Sequence, residues 1–131
     1  MPAGARLSKP GEFSGRDLWA EKSVPVNLHD QSDPMVDYST KAWPGPGEVI
    51  VRTVTWEPGF SYPMHRSDTI DFVFIITGQV ELILEGGSTI LHPGDCVVQP
   101  GTNHAWRVVG SQPCTIAGVL LSAETREEGS S

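Results

Sequence analysis

Basic residues are scarce in this chain: nine lysines and arginines face sixteen aspartates and glutamates, for a formal net charge of −7. That deficit argues against nucleic acid as a partner, because phosphate binding needs a basic stripe. The few cations are also scattered, which argues against an anionic membrane surface. Long apolar runs are missing too. No stretch approaches the ~18 apolar residues of a membrane span. The opening MPAGARLSKPG lacks the apolar core of a signal peptide. These absences predict a cytoplasmic protein. Helical periodicity is absent as well. Cysteine is down to two residues, Cys96 and Cys114, without the CxxC spacing that zinc would want. Both fall in predicted strands and read as buried, reduced thiols.

What is present is turn chemistry. Fourteen glycines and eleven prolines punctuate short apolar runs within 131 residues, a length that suits one domain. Residues 1–46 read as an N-terminal arm and wrapping loop. The first eleven look disordered, the next stretch supplies one or two outer strands, and Gln31–Gly47 is a Pro-rich loop. Residues 47–123 carry the strand rhythm. EVIVRTVTW (Glu48–Trp56) is β-branched and alternating, and DFVFII (Asp71–Ile76) follows. QVELIL (Gln79–Leu84) is expected to pair with it across Thr77-Gly78. Glu85-Gly86-Gly87 reads as a hairpin turn into Ser88–Leu91. Further strands are expected at Cys96–Gln99, His104–Val109 and Cys114–Leu121. Residues 124–131 read as a charged, disordered tail. Short strands with turns every 8–12 residues predict an all-β sandwich or barrel.

Two segments concentrate chemistry: GFSYPMHRSDTIDFVFIITG from Gly59 and GDCVVQPGTNHAW from Gly94. Their spacing resembles the two motifs of the cupin superfamily. In the first, Gly59, His65, Ser67, Asp71 and Gly78 occupy the motif places, with Ser67 where a second histidine is expected and Asp71 where glutamate is expected. In the second, Gly94, Pro100, Gly101 and His104 match, one residue is missing between Pro and Gly, and Val108 replaces an asparagine. The chain resembles the small monocupins that combine a His-Arg-Ser/Thr stretch with Gly-Thr-Asn-His-Ala-Trp. The resemblance implies a double-stranded β-helix, or jelly-roll barrel, and places His65, Asp71 and His104 at ligand positions. Cupins with a full set hold the metal through four protein groups.

Strand parity assigns the faces. If Asp71 points inward, so do Val73 and Ile75, and Phe72, Phe74 and Ile76 point out. If His104 points inward, so do Trp106 and Val108. Two readings of the trio follow. As a two-histidine, one-carboxylate metal site, it suits iron, manganese, nickel, copper or zinc. Without metal, His65, Asp71 and His104 serve as an acid–base set. Arg52 could hold a substrate oxygen in bidentate fashion. Tyr62 and Met64 flank His65 at the pocket mouth. Gln99 orients a ligand or caps a turn, and Trp106 is core or stacks on a planar substrate. His29 and His92 read as solvent-facing.

The functional expectation is a small-molecule enzyme with lyase or isomerase chemistry: dehydration, decarboxylation or cyclisation of an enolisable compound. The alternatives are a metal-dependent dioxygenase and a non-catalytic ligand-binding cupin. The apolar outer face of the Asp71 strand further predicts a homodimer, with the 12–28 segment reaching across to the neighbour through Phe13, Leu18 and Trp19.

Overall fold

A computed structural model of the protein describes residues 11–124. The expectations of disorder for the first ten residues and for 125–131 lie outside that range. Nine strands run in chain order as β1 (Phe13–Glu21), β2 (Val49–Trp56), β3 (Ser61–His65), β4 (Thr69–Thr77), β5 (Val80–Leu84), β6 (Gly87–Leu91), β7 (Cys96–Pro100), β8 (His104–Val108) and β9 (Cys114–Ser122). They form two antiparallel sheets. One has five strands in the order β1-β2-β9-β4-β7 and the other has four in the order β3-β8-β5-β6. The described residues contain no helix, and so none long and apolar enough to cross a membrane. The all-β jelly-roll reading holds.

The inner faces close on one core. Trp56, Phe60, Val73, Ile75, Val80, Leu82, Trp106, Val108 and Ile116 are buried there, with Cys114 among them. The residues that alternate with them in β4 face out, and Phe74 and Ile76 are 44 % and 48 % exposed. Parity therefore assigned both faces of β4 and the inward set of β8. A smaller cluster of Ala20, Ile50 and Leu120, with Met35 and Tyr38 against it, seals the other end of the five-stranded sheet.

Three expectations need correction. First, β4 and β5 do not pair. β4 lies between β9 and β7, and β5 lies between β8 and β6 in the other sheet. Gly78 carries the chain from one sheet to the other at φ +80°, hard against the Pro113–Cys114 backbone. Only glycine fits such a crossing, because a Cβ there would meet both backbone atoms and a left-handed dihedral. Second, Cys96 is exposed rather than buried: it sits on the outer face of the edge strand β7, opposite Phe74. Cys114 is buried, neither cysteine is bonded, and desolvation pushes the Cys114 thiol up to about 11. Third, Ser61–His65 forms a strand, where none was expected from the sequence.

The 12–28 segment supplies β1, which pairs with β2 of its own chain. It widens the sheet and leaves the outer apolar face uncovered, with Trp19 extending that face.

Gly78→Ala is therefore expected to cost more than about 2 kcal/mol, read as a lowered urea midpoint. Gly86→Ala, at a glycine where an added Cβ would meet nothing within 4 Å and φ is not positive, should shift it by much less. Equal shifts would remove the close approach at Gly78 as the cause.

Candidate active site

The site is built by the β3–β8 pair. Tyr62 lies opposite Trp106 and His65 opposite His104, so three steps on β3 match two on β8. The extra residue is a β-bulge at Pro63-Met64. Proline removes a ladder donor, and bulges re-aim the side chains that follow. Simple alternation from Tyr62 would have turned Met64 inward. The bulge instead brings Tyr62 and His65 to one face and leaves Met64 42 % exposed, outside the cavity lining.

The His65 and His104 rings lie 4.4 Å apart, tilted at 53°. Each ring is fixed through Nδ1 by a backbone carbonyl two residues earlier: His65 by Pro63 at 2.9 Å and His104 by Thr102 at 2.8 Å. A carbonyl only accepts, so each Nδ1 carries the proton, and in the neutral rings both Nε2 atoms keep a free lone pair. Burial lowers the pKa of His104, and neighbouring His65 adds to that effect. His104 therefore holds its neutral form.

Asp71 reaches the same cavity from β4. Its pKa is raised above the usual carboxylate value by desolvation, against the opposing pull of the Thr69 hydroxyl and the two histidines. Ser67, which stands at the cupins' second histidine position, takes another part. Its hydroxyl lies 2.6 Å from that of Thr69, which donates to Asp71 Oδ1 at 2.7 Å. Thr69 spends its only proton on Asp71, so Ser67 must donate to Thr69. The chain of hydroxyls orients the carboxylate.

The cavity measures about 410 Å³, within the range of small-molecule sites. Arg52 and Trp106 line it. The Arg52 guanidinium is engaged by the chain itself: Nε meets Asp17 Oδ1 at 2.8 Å, and the two terminal nitrogens donate to the carbonyls of Ala42 and Lys41 at 3.0 and 2.6 Å. Tyr38 donates to the same Asp17 at 2.6 Å, and burial together with that carboxylate pushes its phenol up to about 12. Gln99 is buried but does not line the cavity. It accepts a hydrogen bond from Thr102 and so braces the turn into His104. His29 and His92 are exposed, as expected.

Sequence reasoning missed Trp43, whose indole stacks beside His65 at 6.0 Å and 29°. An aromatic residue within WPGPG, a segment too rich in proline and glycine to form a strand, was its only signal. It also missed Asp17, for which no local signal exists, because only the β1–β2 register brings it to Arg52.

A metal would find two imidazole nitrogens already in the tautomer that suits ligation. The third donor is not placed: among the described residues no three His, Cys, Asp or Glu side chains converge into a metal-holding group. Asp71 accepts from Thr69 through Oδ1, and Ser67 bonds to Thr69. Among the described residues the trio does not form a complete ligand set.

Residues 52–121 match the cupin domain profile, and the chain belongs to the cupin family. It is 42% identical over 136 aligned positions, covering 86% of this chain and 71% of the relative, to a phomopsin biosynthesis cluster protein (C') of Diaporthe leptostromiformis. A cupin-domain-containing oxidoreductase of Neurospora crassa is 33% identical over 82% of this chain and 57% of that protein. Among solved structures, KdgF from Halomonas sp. superposes with a TM-score of 0.60 at 14% identity over 91% of this chain and 87% of its own, a likeness of fold. The DMSP lyase DddQ from Ruegeria pomeroyi is 31% identical with a TM-score of 0.51, over 60% of this chain and 40% of that one. Together these support a cupin-type small-molecule enzyme.

Asp17→Ala is expected to strand the Arg52 charge. Side-chain exposures of 17% and 4% make this a buried pair. Removing one partner of such a pair costs about 3–5 kcal/mol, read in urea unfolding at pH 7. A cost below about 1 kcal/mol, the range of exposed pairs, would remove the clasp as a stabilising element.

Proposed function

We propose that this cupin is a lyase or isomerase that moves a proton on a small enolisable compound, with dehydration, decarboxylation or cyclisation as the outcome. The observation that carries the reading is the pair of imidazoles, each locked by a carbonyl with its Nε2 free, beside a desolvated carboxyl. His104, neutral by burial, accepts a proton from the carbon acid. Asp71, its pKa raised toward that of His104, returns a proton to the leaving or rearranged position. His65 lies across from His104, and its Nε2 lone pair can accept a hydrogen bond from a hydroxyl already present on the substrate. The lyase described for DddQ supports this class of chemistry.

A second reading, a metal-dependent dioxygenase, is favoured by the relatives described as cupin-domain-containing oxidoreductases. His65 and His104 would supply two of its ligands, and Asp71 could offer Oδ2, since Thr69 occupies only Oδ1. A non-catalytic ligand-binding cupin would show retention without turnover.

The test is proton NMR in D₂O with a panel of enolisable compounds. The wild type should wash deuterium into one of them, and His104→Ala should slow that exchange by about 10²–10⁴-fold. The pH profile has a definite sign. Burial lowers the His104 pKa from 6.5, so the base form survives to lower pH. The acid limb of kcat/KM should then lie below 6.5. A limb at or above that value, or turnover only with added iron and consumption of O₂, would sink the acid–base reading.

We further propose a homodimer through the outer face of the five-stranded sheet. Trp19, Val51, Val119, Phe72 and Val98 lie side by side across all five strands. Phe74, Ala117 and Cys96 form most of the next row. This broad face carries no charge between β2 and β7, so a second copy matches it about a two-fold axis without stranding an ion. Phe74→Lys should convert the dimer to monomer in light scattering. A mass of about 14.2 kDa for the unmodified chain at micromolar concentration would remove the dimer.

A further inference from the structure

The cavity walls differ from one side to the other. On one side the rings make a continuous surface. Phe60 stacks on Trp56 at 5.5 Å and 4°, Trp56 meets Trp106 at 5.3 Å, and Trp106 meets His104 edge-on at 5.6 Å. Trp43 closes the far side of His65. The five-stranded sheet, which carries Trp56, also contributes the aliphatic Val54, Val73 and Ile116, and Gly118 opens the floor. A Cβ on Gly118 would meet only Leu120 Cδ1 at 3.6 Å and Phe72 O at 3.9 Å, so the missing side chain there is space.

The charges inside are already matched. Arg52 holds Asp17, and Lys41 holds Glu48 at 2.6 Å. Arg16 sits at the rim, exposed and opposite Thr53 on the outward parity of β1. Asp71 has a hydroxyl partner and no lysine or arginine in an ion pair. Beside the histidines a carboxylate would lose its water, meet Asp71 and find no unpaired cation among the described residues, Arg16 lying at the rim. Both histidines present acceptors, so they call for a donor on the ligand.

We propose that this cavity takes a planar, uncharged aromatic compound bearing a hydroxyl, held against Trp43, Trp56 and Trp106 with its O–H donated to one of the two histidine Nε2 atoms. The inference rests on the reading of this cavity as the active site and extends it to substrate class. Flat rings stack on or meet the edges of the aromatic wall, and the Arg52–Asp17 pairing makes the wall neutral and selective against carboxylates.

Three probes matched in size separate the contributions at pH 7: 2-naphthol, 2-naphthoate and decahydro-2-naphthol. In calorimetry, 2-naphthol should bind at least about tenfold more tightly than either of the others. In nitrogen–proton correlation spectra, the indole N–H signals of Trp43, Trp56 and Trp106 should move, while that of Trp19, on the outer face, should not. Trp43→Ala should weaken 2-naphthol about tenfold. Gly118→Leu, which fills the floor of the cavity, should abolish binding with the fold intact by circular dichroism. Equal or tighter binding of 2-naphthoate overturns the charge argument, and equal binding of the saturated alcohol overturns the stacking argument. No binding of 2-naphthol at millimolar concentration, or shifts confined to Trp19, overturns the proposal as a whole. None of these readouts depends on turnover. Failure of the deuterium-exchange experiment would leave this result standing, and failure here would leave the acid–base reading standing.

Discussion

A buried carboxylate organises one side of this molecule. Asp17 has little exposure in the middle of β1, where an unpaired charge would be very costly. It is made tolerable by Arg52 from β2 and by the Tyr38 hydroxyl from the wrapping loop. Arg52 has donors to spare, and it uses them on the carbonyls of Lys41 and Ala42. One charge thus ties three segments distant in sequence, and the loop it captures is the one that carries Trp43 onto His65. The aromatic lid over the histidines follows from the need to neutralise Asp17. The same need removes Arg52 from the set of groups that could meet a substrate.

The change from histidine to serine at residue 67 has a comparable reach. The cupin motif expects a second imidazole at that place. A hydroxyl instead begins a directional chain through Thr69 to Asp71. Each donor in the chain is used once, so the carboxylate has a fixed orientation with one oxygen satisfied and the other left toward the cavity. The residue that departs from the cupin ligand pattern is thus the one that begins the chain orienting Asp71. This explains how a cupin fold with an incomplete ligand set can retain a site.

Much of this was legible in the sequence because it is local. Alternation in β2, β4 and β9 reports burial directly, and the motif glycines mark turns with positive φ, as at Gly59, Gly78 and Gly94. His65, Asp71 and His104 stand at the places that the resemblance to the two cupin motifs marks for ligands. What escaped was set by register and by long-range charge. Proline in YPMH marks the bulge that turns His65 inward in place of Met64, and the sequence reading assigned no strand there. Thr77-Gly78 read as a hairpin because the sequence on both sides is strand, whereas the packing of Pro113 against Gly78 sends the two strands to opposite sheets. Cys96 alternates correctly, but β7 is an edge strand, and its outward face has no cover. Asp17 and Arg52 lie 35 residues apart, and neither carries a local sign of the other.

Recognition and reactivity in this cavity share a single cause. The aromatic wall that favours a flat ligand is also the low-dielectric medium that lowers the His104 pKa and raises that of Asp71. Bulk water at the same place would return both groups toward their ordinary values, at which the carboxyl is ionised near neutral pH and has no proton to give. A ligand that fills the space completes the exclusion of water, so its binding strengthens the conditions under which the acid and the base differ least. Opening the wall, as loss of the Trp43 indole would, therefore weakens two things at once: the surface that holds the ring and the desolvation that prepares the proton transfer.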